Sequence, residues 1–142
     1  MSNTQVSEIF KAPIENVFDV LTDYKSYPDF LDGTDSVEIL EMSEKGGKVK
    51  FSLNIIKEFT YVLEMKHERP HHISWKFSSG DLFKTNTGSW TLEKLDEKST
   101  RVNYELDLAF KLLVPKMILK KLVNNNLPAM MKQYQDRVME SL

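Results

Sequence analysis

Between Ser36 and Phe110 apolar side chains recur at every second residue, and past Pro115 they recur every three or four. A chain with that switch of period must build an antiparallel sheet first and a covering helix last. Val37 and Ile39 flank Glu38, and after Gly46-Gly47 the residues Val49, Phe51, Leu53 and Ile55 alternate with Lys48, Lys50, Ser52 and Asn54. Phe59, Tyr61, Leu63 and Met65 continue the alternation, Arg69-Pro70 turns the chain into Ile73, Trp75 and Phe77, and Ser78 to Asp81 form the next turn. A strand of mixed character from Leu82 runs on to Trp90 and Leu92, and Asp96-Glu97-Lys98 leads into Val102, Tyr104, Leu106, Leu108 and Phe110. These are six consecutive strands with one apolar face.

The flanks complete the frame. Gln5 to Lys11, with Val6, Ile9 and Phe10, reads as a further strand, and Pro13 opens a short amphipathic helix carrying Val17, Phe18, Val20, Leu21 and Tyr24. Pro28 and Gly33 bound a second short helical piece, so the two form an elbow. After Pro115 the helical stripe runs through Ile118, Leu119, Leu122, Val123, Leu127, Met130, Met131, Tyr134, Val138 and Leu142. Pro128 inside it predicts a kink or break near Asn124-Asn125-Asn126, at a cost of about 3 kcal/mol. The expected class is α+β: a seven-stranded curved antiparallel sheet, two short helices after the first strand, and a long C-terminal helix as lid.

Composition narrows the function. The 142 residues read as one domain over 1–142, with no linker or repeat. Lys and Arg number 19 against 21 Asp and Glu, a net charge of −2 without long single-sign blocks, which argues against a generic nucleic-acid binder. The absence of cysteine removes disulfides, thiolate metal sites and thiol nucleophiles. The first residues lack the basic and apolar segments of a secretory leader, and no apolar run is long enough for a membrane span, so a soluble cytoplasmic protein is expected. No phosphate loop, metal motif or nucleophile elbow is present, and no cofactor or metal is expected.

The order of elements, together with Ala12-Pro13 before Glu15, Val17 and Phe18, Asp23 with Tyr27-Pro28-Asp29-Phe30, Gly88-Ser89-Trp90 followed by Thr100 and Val102, and Pro128 in the last helix, resembles the START-related helix-grip superfamily. Within it the likeness is closest to polyketide cyclase/dehydrase-like and coenzyme Q-binding proteins. The resemblance implies a sheet wrapped around the C-terminal helix and an apolar cavity for a lipid, isoprenoid or polyketide-like molecule. Members include carriers, enzymes and partner-binding proteins, so the residues must choose.

Phe59, Tyr61, Leu63, Met65, Trp75, Phe77, Trp90, Tyr104 and Leu106 on the sheet face Leu122, Leu127, Met130, Met131 and Tyr134 on the helix, with Tyr27, Phe30 and Leu31 near the mouth. These positions either fill a close-packed core or line a ligand cavity, where methionines adapt to varied shapes. Such a cavity would take a hydrophobic small molecule, a lipid or isoprenoid quinone. An enzyme would instead draw on Glu64, Asn86, Tyr61, Tyr104 and Tyr134 to orient a polyketide-like substrate, although none of them forms a recognisable nucleophile–base pair. His67, His71 and His72 flank a turn, and adjacent strand side chains point to opposite faces, so they read as solvated or structural rather than metal-ligating. Leu113, Val114, Lys116, Lys120 and Lys121 lie in a stretch without acids. That stretch fits three descriptions: a solvated helix face, a transient contact with an anionic membrane, or a ribosomal or nucleic-acid docking patch of the kind used by toxin-like relatives. The net charge disfavours the nucleic-acid option.

Overall fold

A computed structural model describes residues 2–55, 57–123 and 127–142. The chain runs β1 (Ser2–Phe10), α1 (Ile14–Thr22), a 3-10 turn at Tyr24–Ser26, α2 (Tyr27–Phe30), β2 (Ser36–Ser43), β3 (Gly46–Ile55), β4 (Lys57–Glu68), β5 (His72–Gly80), β6 (Phe83–Asp96), β7 (Ser99–Phe110), α3 (Lys116–Val123) and α4 (Leu127–Glu140). The seven strands form one antiparallel sheet in the order β1-β7-β6-β5-β4-β3-β2, a meander whose first strand returns to pair with its last. Register shifts at Ile39/Glu41, Val62/Leu63, Phe83/Thr85 and Lys94/Asp96 supply the irregularities that let such a sheet curve around a helix.

Local chemistry explains the boundaries. Pro13 sits extended at φ −61°, ψ 146° as the cap of α1, and its carbonyl accepts the Val17 N–H at 3.2 Å. The apolar stripe of α1, with Val17, Phe18 and Leu21, is buried against the sheet. The Thr100 hydroxyl, fully buried, donates to the Ala12 carbonyl at 2.8 Å and ties the α1 entry to β7. Two expected boundaries move. β1 begins at Ser2 rather than Gln5 because β7 is long enough to pair with it from Leu108 to Thr100. Ser78–Gly80 stay in β5 because Gly80, at φ 142°, bends the chain while still opposite Tyr61, so the turn falls at Asp81-Leu82. The expected break at 124–126 lies outside the described residues.

The interior has two apolar clusters. Phe10, Val17, Leu21, Val49, Ile73, Val102 and Val138 are fully buried in the main one, where α1 and α4 cover the sheet. Leu53, Phe59, Leu82, Phe83, Val114 and Ile118 form a smaller one at the opposite end, where α3 leaves β7. Full burial of each such aliphatic or aromatic side chain contributes about 1.5–3 kcal/mol.

Candidate ligand chamber

Between these clusters the packing opens into a chamber of about 260 Å³. Its sheet wall follows from strand alternation: Phe51 and Leu53 from β3, Tyr61, Leu63 and Met65 from β4, Trp75 from β5, Phe83, Asn86 and Trp90 from β6, and Tyr104, Leu106 and Leu108 from β7. Met130 and Tyr134 of α4 close it opposite, and Tyr24, Tyr27 and Leu31 of the elbow meet Asp32 and Thr34 at its polar rim. Across that rim Asp32 and Gln133 clasp each other. The Asp32 N–H donates to Gln133 Oε1 at 3.3 Å, and Gln133 Nε2 donates to Asp32 Oδ2 at 2.9 Å.

Aromatic rings hold the walls. Trp90 lies 4.5 Å from Tyr104 and 5.0 Å from Tyr134 between centroids, and Tyr27 meets Tyr134 at 5.6 Å. The Trp75 indole donates to Asn86 Oδ1 at 3.0 Å, which satisfies a buried N–H. Gly88, on the neighbouring strand, leaves the room that indole occupies, since a Cβ there would run into the Trp75 ring.

The polar groups of the chamber are mostly phenols. Burial raises the pKa of Tyr24, Tyr27, Tyr61, Tyr104 and Tyr134 far enough that all stay protonated at physiological pH. The Tyr27 hydroxyl donates to the Leu21 carbonyl. The Tyr24 hydroxyl lies 2.7 Å from His67 Nε2. Burial, with a smaller contribution from the Arg69 charge, lowers the His67 pKa, so the ring is neutral near pH 7 and shares one proton with the Tyr24 hydroxyl in that bond. Tyr61 and Tyr104 carry no hydroxyl hydrogen bond among the described residues, so they remain as donors or acceptors for an oxygen-bearing guest. The chamber's apolar walls and phenols are suited to holding an apolar molecule and orienting a carbonyl or hydroxyl on it, and the one carboxylate among its described lining residues, Asp32, is engaged with Gln133 at the rim.

Of the residues expected around a cavity, Tyr27, Tyr61, Leu63, Met65, Trp75, Trp90, Tyr104, Leu106, Met130 and Tyr134 lie on the chamber wall. Four others do not. Phe30 packs outside it on Tyr27 and Tyr134, under the Arg137 guanidinium. Phe59 belongs to the small cluster, Phe77 packs beside Phe83, and Met131 is buried in the main core. The side chains of Leu122, Leu127 and Lys121 lie outside the described set. Tyr24, Phe51, Leu53, Phe83, Asp32 and Thr34 were not among the expected lining residues. Phe51 and Leu53 were already visible as inward members of their strand, whereas the mixed stretch from Leu82 hid Phe83.

Glu64 is corrected. It stands on the outer face of β4, 3.8 Å from Lys76, because its neighbours Leu63 and Met65 occupy the inner face. Asn86, by contrast, is buried on the chamber wall. Val114 is also corrected. It is buried beside Ile118 in the small cluster, while Leu113 beside it is 95% exposed and Lys116 and Lys120 are exposed. His71 is exposed, and the half-buried His72 makes only a side-chain bond to Thr91 at 3.1 Å. Among the described residues no group of three or more His, Asp or Glu is placed to hold a metal ion, and no helix is long and apolar enough to cross a membrane.

The family model for polyketide cyclase / dehydrase and lipid transport matches residues 10–133. No curated protein matches the chain by sequence. Among solved structures the chain is similar to the Zhui aromatase/cyclase from a Streptomyces species, at 18% identity and TM-score 0.82 over 97% of this chain and 93% of that one. It is similar to a START superfamily protein from Mycobacterium smegmatis, at 20% identity and TM-score 0.82 over 99% of both chains. A STAR-related lipid transfer protein from Xanthomonas axonopodis aligns at 14% identity and TM-score 0.78, over 96% of this chain and 85% of that one. At such identities the structural likeness establishes a common helix-grip fold.

Proposed function

Since this chain belongs to the polyketide cyclase/dehydrase and lipid-transport family, we propose that it binds a lipid or isoprenoid quinone in the chamber between sheet and α4 and carries it in solution. The observation that supports this reading is the chamber itself. About 260 Å³ is left unfilled by a chain that packs fully on either side of it, and close packing is otherwise the rule in protein interiors. The volume lies just under the usual range of ligand sites, roughly 300–1,000 Å³. It suits one ring or a short acyl segment, so a longer tail would have to extend beyond the described walls. The Tyr61 and Tyr104 hydroxyls then serve as partners for the guest's oxygen.

The chain has two tryptophans, and both Trp75 and Trp90 line the chamber, so intrinsic fluorescence reports its occupancy. Titration with a short-chain quinone or a fatty acid is expected to shift or quench that emission saturably, and native mass spectrometry of the extracted protein to find an apolar molecule bound one to one. Leu106→Phe, which adds bulk at the wall, is expected to weaken binding about tenfold. A flat titration together with an empty mass spectrum would end the carrier reading.

A second reading, a cyclase acting on a polyketide-like substrate, is favoured by the same unpartnered phenols. It predicts that Tyr104→Phe abolishes turnover of an aromatic polyketide while the fold persists. Full turnover in that variant would remove Tyr104 from any such role.

A further inference from the structure

The tip between β7 and α3 leaves two adjacent leucines in water: Leu112 is 100% exposed and Leu113 95%. Met117, in the first turn of α3, is 63% exposed, although Val114 and Ile118 from the same segment are buried. Lys111, Lys116 and Lys120 are exposed among these residues, and no acidic residue occurs between Lys111 and Lys132. None of those three lysines enters an ion pair among the described residues. At the adjoining sheet end Lys57 and Lys84 are balanced by Glu58 and Asp81, so the positive excess is that of the tip's own lysines.

We propose that this tip docks on an anionic lipid bilayer. Leu112, Leu113 and Met117 enter the boundary between headgroups and acyl chains while Lys111, Lys116 and Lys120 lie against the headgroup phosphates. A soluble polyanion would use the lysines but would leave the leucines in water. A bilayer accounts for both, because it presents negative charge and apolar depth at one surface. The position adds a consequence that rests on the carrier reading. Val114 and Ile118 share the small cluster with Leu53 and Phe83, which also line the chamber. A bilayer at the tip is therefore one layer of side chains from the chamber, and that layer is where a guest would pass.

The test is vesicle flotation of the full chain with phosphatidylcholine alone and with phosphatidylcholine containing phosphatidylglycerol, at low and high salt. Binding is expected only to the anionic vesicles and is expected to fall with salt. Lys116→Glu with Lys120→Glu should weaken it by about fivefold or more per lysine, and Leu112→Asp with Leu113→Asp should weaken it about tenfold. All four positions are exposed, and circular dichroism should show each variant folded. Leucine variants that float as well as wild type, or wild type that binds heparin but no vesicle, would overturn the proposal. So would self-association in the ultracentrifuge that the leucine variant abolishes without any vesicle binding, since the tip would then be covered by a second copy. The tryptophan titration run on the same proteins separates the two ideas: vesicle binding with no ligand response retains the docking surface and removes the carrier.

Discussion

At the scale of single residues, the chamber separates groups that hold the fold from groups left over for a guest. Asn86 accepts the buried Trp75 indole N–H, so Asn86→Ala strands that donor and is expected to cost about 1–3 kcal/mol, seen as a lower Tm. Tyr104→Phe removes a hydroxyl that bonds to no described residue. It is expected to leave thermal stability within about 0.5 kcal/mol while weakening the binding of an oxygen-bearing ligand. Equal losses of stability in the two variants would show that the Tyr104 hydroxyl is structural. His67 gives a pH signature. Its folded pKa lies below the unfolded value of about 6.5, so the unfolded chain binds the proton first and stability is lost as pH falls below about 6.5. His67→Gln is expected to flatten the Tm profile between about pH 7 and 5.5, and an unchanged slope would assign that loss to other groups. Much of this residue-level picture was legible. The alternation put Leu63 and Met65 inward, but Glu64 was expected among the chamber's polar groups and Val114 on the surface, although the strand period turns Glu64 outward and the i,i+4 spacing of Val114 and Ile118 gives them a shared buried face. What could not be read was pairing across the chain, such as Tyr24 with His67 or Trp75 with Asn86, because such contacts depend on strand register.

At the scale of elements, periodicity carried the strands and helices because each buries one face, and a half-buried strand or helix repeats its apolar residues at its own period. It failed where an element's role depends on neighbours. β1 took its length from β7, and the start of β6 showed mixed faces because Phe83 serves both the chamber and the small cluster. The Asp32–Gln133 clasp likewise joins the loop after α2 to α4, residues 101 positions apart, and no local pattern announces it. Asp32 is exposed and Gln133 half-buried, so the paired bonds contribute little to global stability, on the order of 1 kcal/mol or less. Their effect should be kinetic. Gln133→Ala is expected to speed ligand entry and release by about fivefold in stopped-flow tryptophan fluorescence, with Tm nearly unchanged. Identical exchange rates would place the route elsewhere, and the α3 end of the chamber would be the next place to look.

At the scale of the whole molecule, the chamber exists because the chain fixes its two ends tightly and leaves its middle loose. The main core anchors α1 and α4 on the sheet through side chains such as Val17, Leu21 and Val138, none of them exposed. α4 then carries Met130 and Tyr134 over the open stretch without having to fill it. If the lid is held from that anchor, releasing it there should expose the chamber even though no lining residue has changed. Val138→Asp places a carboxylate in a dry site with no partner, and a cost of about 4 kcal/mol or more is expected. The sheet, with its paired strands, has its own ladder to hold it. The variant is therefore expected to keep most of its far-ultraviolet strand signal while binding ANS, with Trp90 emission shifted to the red by loss of its Tyr134 contact. Complete unfolding in one transition at the same temperature by both probes would mean that sheet and lid form a single cooperative unit. In that case the guest enters by local opening at the rim or at the α3 tip rather than by release of the lid.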